Sequence, residues 1–121
     1  MASEQFKIYL AGSMRGIPEF NFPAFHAAAA KLRSGGWFVF SPAERDNEKH
    51  GTDISAGNPT GDEALATKQH GFSLREALGA DLKFICEEAD AIALLPGWEK
   101  SKGVAAELAT ARALGLRELY L

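Results

Sequence analysis

Between Asp90 and Leu95 the chain reads DAIALL, a short apolar run without polar alternation. A strand with one wet face alternates apolar and polar side chains, whereas an unbroken apolar strand needs cover on both faces. The run therefore predicts a central parallel strand, closed by Pro96-Gly97. Parallel neighbours need helical crossovers, so the rest of the chain should alternate strand and helix. Residues 6–11 (FKIYLA) predict a first strand, broken at Gly12. A helix is predicted over 23–33, with Asn21 as its cap, Pro23 in its first turn and Gly35-Gly36 as its stop. Phe22, Phe25, Ala29 and Leu32 supply much of its apolar stripe. Residues 37–40 (WFVF) predict a second strand, with Trp37 and Phe40 in sheet packing.

Ser73 and Glu76 have capping-box spacing and open a helix expected to reach about Glu88. A last helix starts at Ser101 or Lys102 and stops at Gly115, and residues 116–121 return as a strand. Residues 43–71 differ: they are polar and glycine-bearing, with no long apolar run. They are expected to form a loop or lid insertion, with a short helix near 62–69. The expected fold is α/β: a three-layer Rossmann-like (flavodoxin-like) domain with a small parallel sheet of four or five strands. At 121 residues the expectation is one domain, spanning 1–121.

Composition narrows the function classes. A net charge of −3 argues against a basic groove for a nucleic acid polymer, although one nucleotide needs only a local nest or a single arginine. The single cysteine, Cys86, excludes an intrachain disulfide and suits a reducing compartment. No bilayer-length apolar stretch or signal-peptide pattern is present, so a cytoplasmic chain without membrane association is expected. His26, His50 and His70 are scattered and show no zinc-ligand spacing, so no metal is expected. Cys86 sits late in a helix before Glu87 and Glu88, a setting that disfavours a thiolate.

In an open parallel sheet, ligands bind beyond the carboxyl ends of the strands. The loops reaching that edge carry Gly12, Ser13, Met14, Arg15 and Gly16 after the first strand, and Ser101 and Gly103 after the central one. The second loop precedes a helix N-terminus, where free amides favour an anion. This is neither a P-loop nor the dinucleotide fingerprint, since the glycines and lysine do not match. The competing reading is that the glycines only turn the chain and Arg15 is a surface charge. Two carboxylates fall on apolar stripes: Glu107 with Val104, Leu108 and Ala111, and Asp81 with Leu74, Leu78, Leu82 and Ile85. A carboxylate on such a face needs partners or a task, and a structural role competes evenly with a chemical one. Tyr9 lies late in the first strand and reaches Glu107 if the first and third strands are neighbours. Phe20, Phe22 and Trp98 are candidates to stack on a base, and Arg45 and Asp46 to edge the pocket or to form a salt-linked turn.

The segments IYLAGSMRG at 8–16, DL at 81–82, ADA at 89–91 and GVAAEL at 103–108 together resemble the nucleoside 2-deoxyribosyltransferase-like superfamily. NFPAF at 21–25 and PAERD at 42–46 bring the likeness closer to its short phage and bacterial branch. The resemblance implies that the glutamate matching Glu107 is a nucleophile toward the anomeric carbon of a 2-deoxyribosyl group. It implies that Asp81 orients the sugar or assists proton transfer, and that Tyr9 positions the glutamate. The loop at 12–16 resembles the Gly-Ser-Ile-Arg-Gly loop of hydrolases of 2-deoxynucleoside 5-monophosphates, whose phosphate-contacting serine corresponds to Ser101. Ala105 and Ala106 depart from the residues common before the glutamate, and 43–71 is longer than in the compact hydrolases.

The expected function is N-glycosidase action on 2-deoxynucleoside 5-monophosphates through a glutamyl intermediate. One alternative is base exchange by a nucleoside 2-deoxyribosyltransferase. A second is a non-catalytic nucleotide-binding regulatory or phage accessory protein, which would bind without releasing base. A flavodoxin-like flavin carrier would be yellow, and no residue requires flavin, so no cofactor is expected. The expected partners are a small-molecule deoxynucleoside or deoxynucleotide and further copies of the chain, as a homodimer or higher homo-oligomer.

Overall fold

In the computed structural model, which describes residues 5–121, four strands form one sheet. They are β1 (Lys7–Ala11), β2 (Phe38–Phe40), β3 (Ala91–Leu94) and β4 (Arg117–Tyr120). Their order is β2-β1-β3-β4, and every pairing is parallel. Five helices connect them: α1 (Phe22–Ser34), α2 (Pro42–His50), α3 (Glu63–His70), α4 (Leu74–Glu87) and α5 (Lys102–Ala113).

Alternation along the central strands divides the interior into two cores. Ile8 and Leu10 of β1, with Ala91 and Ala93 of β3, pack against Phe25, Ala29 and Leu32 of α1. Tyr9, Ala11, Ile92 and Leu94 point to the other face, against Phe84 and Ile85 of α4 and Val104, Leu108 and Ala111 of α5. The fold is thus a three-layer Rossmann-like α/β sandwich. Both faces of β3 are covered, as its unbroken apolar sequence requires. Burying each large side chain such as Phe25 or Ile92 contributes roughly 1.5–3 kcal/mol of transfer free energy.

The segment 43–71 carries two helices: α3 agrees with the short helix expected near 62–69, and α2 corrects the expectation of a loop over its own residues. Ser41 is extended at the N-cap of α2, Pro42 supplies a preset helical φ in its first turn, and Gly51 (φ +67°) ends it. The buried face of α2 is Pro42, Ala43 and Asp46, so no long apolar residue marks the helix in the sequence. Asp62 caps α3 by accepting from the amides of Ala64 and Leu65. Only 51–62 is irregular between the two.

Three further expectations change. Trp37 precedes β2 and is 41 % exposed, so only Phe40 of that pair packs, stacking on Phe84 at 4.5 Å. The buried stripe of α4 is Ala77, Asp81, Phe84 and Ile85; Leu74 is exposed and Leu78 and Leu82 are half-buried. Asn21 precedes α1 but is left-handed (φ 62°) and makes no capping bond. Ser73 does cap α4, accepting from the amide of Glu76, while the Glu76 side chain pairs with Lys49 instead of turning back. Among the described residues no helix is long and apolar enough to cross a membrane.

Candidate active site

The chain leaves β1 toward β2 on one side, and β3 and β4 extend the sheet on the other, so strand order reverses between β1 and β3. Connections depart in opposite directions there and leave a crevice at the carboxyl ends of the strands. A cavity of about 710 Å³ occupies this place, walled by the loops after β1 and β3 and by α2, α4 and α5. That volume suits a ligand of nucleotide size.

Glu107 and Asp81 both line the cavity and are each only 6 % exposed. Ser101 caps α5 by accepting from the Val104 amide, which fixes the helix start and places Glu107 in its second turn. Beneath the cavity, wholly buried Tyr9 donates to Glu107 Oε2 at 2.7 Å. The β1–β3 pairing, Tyr9 opposite Ile92, allows this contact. Tyr9 does not reach the cavity, and its hydroxyl acts on the site through Glu107.

Arg45 of α2 completes a charged group. Its Nη1 donates to the Ala77 carbonyl at 2.8 Å; its Nη2 lies 2.6 Å from Asp46 Oδ1 and 3.3 Å from Asp81 Oδ1. Two carboxyl groups, Asp46 and Asp81, therefore share one largely buried guanidinium, with Glu107 close enough to feel its charge. Burial pushes all three above the ordinary carboxylate range. Asp46 rises from 3.8 to about 7, with Arg45 opposing the shift and Asp81 adding to it. Arg45 opposes the rise of Asp81, and the Asp81 charge adds to that of Glu107. Tyr9 is held protonated by burial and by the carboxylates beside it. Asp81 Oδ1, ion-paired with Arg45, and Arg45 Nε are buried without a hydrogen-bond partner.

The loop after β1 supplies a polar part of the wall. Gly12, Ser13, Met14 and Arg15 line it, together with Ser101, Gly103 and the flanking Lys100 and Lys102. A Cβ on Gly12 would sit 2.8 Å from Leu95 Cδ1, so the loop and the end of β3 approach closely because residue 12 lacks a side chain. Ser13 Oγ donates to the Gly97 carbonyl and ties the two loops together. Arg15 pairs with Glu63 of α3 at 3.1 Å. Gly16 lies outside the wall; its amide donates to the Gly61 carbonyl. The Glu63 partner of Arg15 is an addition to the expected set. The lysines have a sequence signal in their adjacency to the α5 start, and Glu63 has none.

The rest of the wall is mainly apolar, with Ile54, Phe72, Leu74, Ala77 and Leu78 beside Arg45 and Asp46. Phe20 and Phe22 line it too, both largely buried. They are brought there by three successive left-handed residues, Glu19, Phe20 and Asn21, at φ 53–62°. None is glycine, and such positions cost about 1–3 kcal/mol each unless the surroundings impose them. Here the Glu19 amide donates to the Asn58 carbonyl, and Asn21 Nδ2 donates to the Ser13 carbonyl. Trp98 is corrected: it leans on Tyr120 at 6.0 Å and lies off the wall. Among the described residues no three His, Cys, Asp or Glu side chains are grouped to hold a metal ion.

The family described as "Domain of unknown function (DUF4406)" matches residues 6–120, and the chain belongs to that family. No curated protein matches the sequence.

Proposed function

We propose that this member of the DUF4406 family is an N-glycosidase that removes the base from a 2-deoxynucleoside 5-monophosphate through a covalent Glu107 intermediate. The observation that carries the reading is Glu107 itself, a buried carboxyl held at 2.7 Å by Tyr9, lining a nucleotide-sized cavity beside Asp81. The resemblance to nucleoside 2-deoxyribosyltransferase-like enzymes supplies the reaction type and agrees with this arrangement. A nucleophilic carboxylate displaces a base with the departing electron pair, passing through an oxocarbenium-like centre. Glu107 Oε attacks the anomeric carbon, the carbon–nitrogen bond breaks, and water then releases the sugar and restores the carboxylate. The Tyr9 hydrogen bond fixes one Glu107 oxygen and favours its anion. The Ser13, Arg15 and Ser101 stretch suits a phosphate, and Phe20 and Phe22 suit the base. The expected assembly is a homodimer or higher homo-oligomer, with a deoxynucleotide as the small-molecule partner and no cofactor.

Incubation with each 2-deoxynucleoside 5-monophosphate, with and without a free acceptor base, tests the reading. Free base and deoxyribose phosphate are expected, and Glu107→Gln should abolish their release. Appearance of a new nucleotide only when acceptor is added would assign base exchange. Binding without any base release would overturn catalysis, and full-rate release by Glu107→Gln would remove Glu107 from the mechanism.

A further inference from the structure

We propose that Asp46 is the acid of this site, passing its carboxyl proton to a ring nitrogen of the departing base. The assignment rests on the glycosidase reading above and adds the group that makes the base leave. Asp46 is 4 % exposed and lines the cavity on α2, apart from the α4 and α5 elements that carry Asp81 and Glu107. Arg45 fixes its place: one guanidinium nitrogen bonds the Ala77 carbonyl and the other lies 2.6 Å from Asp46 and 3.3 Å from Asp81. Asp46 lines the same cavity as the apolar Phe20, Phe22, Ile54, Ala77 and Leu78, where a heterocycle finds cover. Three buried carboxyls with a single guanidinium, which pairs with Asp46 and Asp81 alone of the three, cannot all ionise cheaply out of water. The site keeps a proton among these carboxyls, and delivery to the base requires that proton on Asp46.

The groups facing Asp46 are Arg45 and Lys49 on its own helix and Asp81 on α4, with Glu107 of α5 and Tyr9 of β1 beyond Asp81. Asp46 titrates near neutrality, at about 7, in the range where a carboxylic acid is an effective donor. The first step forms the Glu107 Oε–C1′ bond, breaks the C1′–N bond with its pair going to the base, and moves the Asp46 proton to that base. In the second step water attacks C1′, its proton goes to the Asp46 carboxylate, and the Glu107 carboxylate departs. The productive form holds a proton on Asp46 and none on Glu107. The pH profile is then bell-shaped whichever of the two holds that proton in the free protein.

The test compares a natural 2-deoxynucleoside 5-monophosphate with 4-nitrophenyl 2-deoxyriboside 5-phosphate, whose phenolate leaves without a proton. kcat/KM is read because it reports steps through transfer of the sugar to Glu107. Asp46→Asn should lose about 10²–10³-fold with the natural base, the usual weight of general acid catalysis, and keep its value with the nitrophenyl substrate. In the unsubstituted protein, kcat/KM should fall at alkaline pH with the natural base only, a readout that does not depend on the variant folding. Equal losses with both substrates, no loss with the natural one, or an alkaline fall common to both would overturn the assignment. No release from either substrate by the unsubstituted protein would overturn the glycosidase reading, and this assignment with it.

Discussion

Tyr9 and Glu107 stand 98 residues apart in the chain and meet through a 2.7 Å hydrogen bond in which the phenol donates. That bond favours the Glu107 anion and opposes the burial that disfavours it. Tyr9→Phe keeps the ring and its packing against Phe40 at 5.7 Å but removes the donor. The expected result is a loss of about 10-fold or more in kcat, in line with the roughly 1–3 kcal/mol cost of stranding a buried polar group, with KM little changed. Glu107 should also titrate higher, so the acid limb of kcat/KM with the nitrophenyl substrate, which needs only Glu107 ionised, should move to higher pH. Steady-state kinetics across pH, compared with the unsubstituted protein, checks both effects; an unmoved limb with an intact rate would deny Tyr9 its positioning role.

The buried carboxyls make stability depend on pH in a stated direction. The ordinary value for Glu107 is 4.5 and its folded value is raised, so between the two the native state keeps a proton that the unfolded chain loses. Stability falls as pH rises through that window and is level above it. Asp46 adds a window of the same sign from 3.8 to about 7. Glu107→Gln stays neutral and its amide oxygen can still accept from Tyr9. It should therefore gain on the order of 2 kcal/mol over the unsubstituted protein at pH 8, with little gain at pH 4. Urea denaturation at the two pH values measures this, and a pH-independent difference would contradict it.

Arg15 tests the polar part of the wall. It is paired with Glu63 and partly exposed, so it is reachable by an incoming anion. The protein should bind a nucleoside monophosphate more tightly than the nucleoside. Arg15→Ala should weaken the monophosphate by about 10-fold, corresponding to loss of one charge-assisted contact, and leave the nucleoside unchanged. Titration calorimetry of both ligands decides it, and equal affinities in the unsubstituted protein would reject an anion site.

The parts of the fold that carry strong local patterns are legible in the amino-acid sequence itself. Unbroken apolar sequence marks β3 as central, and alternation along β1 sends Ile8 and Tyr9 to opposite cores. Glu107 and Asp81 are visible because each interrupts an apolar stripe, and their meeting with Tyr9 follows from β1 and β3 being neighbours. Helix α2 is not visible, because its buried face consists of a proline, an alanine and an aspartate. The stripe on α4 is misjudged since leucines occur around much of its circumference; Leu74 and Leu78 line the cavity while Ala77 and Phe84 are buried. The left-handed turn at 19–21 has no local signal, as contacts from Asn58 and Ser13 impose it on residues that are not glycine.

The α2–α3 segment is fastened to the loop after β1 largely through main-chain groups. The Gly16 amide meets the Gly61 carbonyl and the Glu19 amide meets the Asn58 carbonyl, with Gly61 packed so tightly that a Cβ there would collide with the Ile17 carbonyl oxygen. Main-chain fastenings do not depend on which side chains surround them. A lineage carrying this fold can therefore exchange the outward residues of α2 and α3 while Gly61 and Asn58 keep the segment in register. The outer face of the segment is free to diversify, and the floor that holds Glu107 stays as it is.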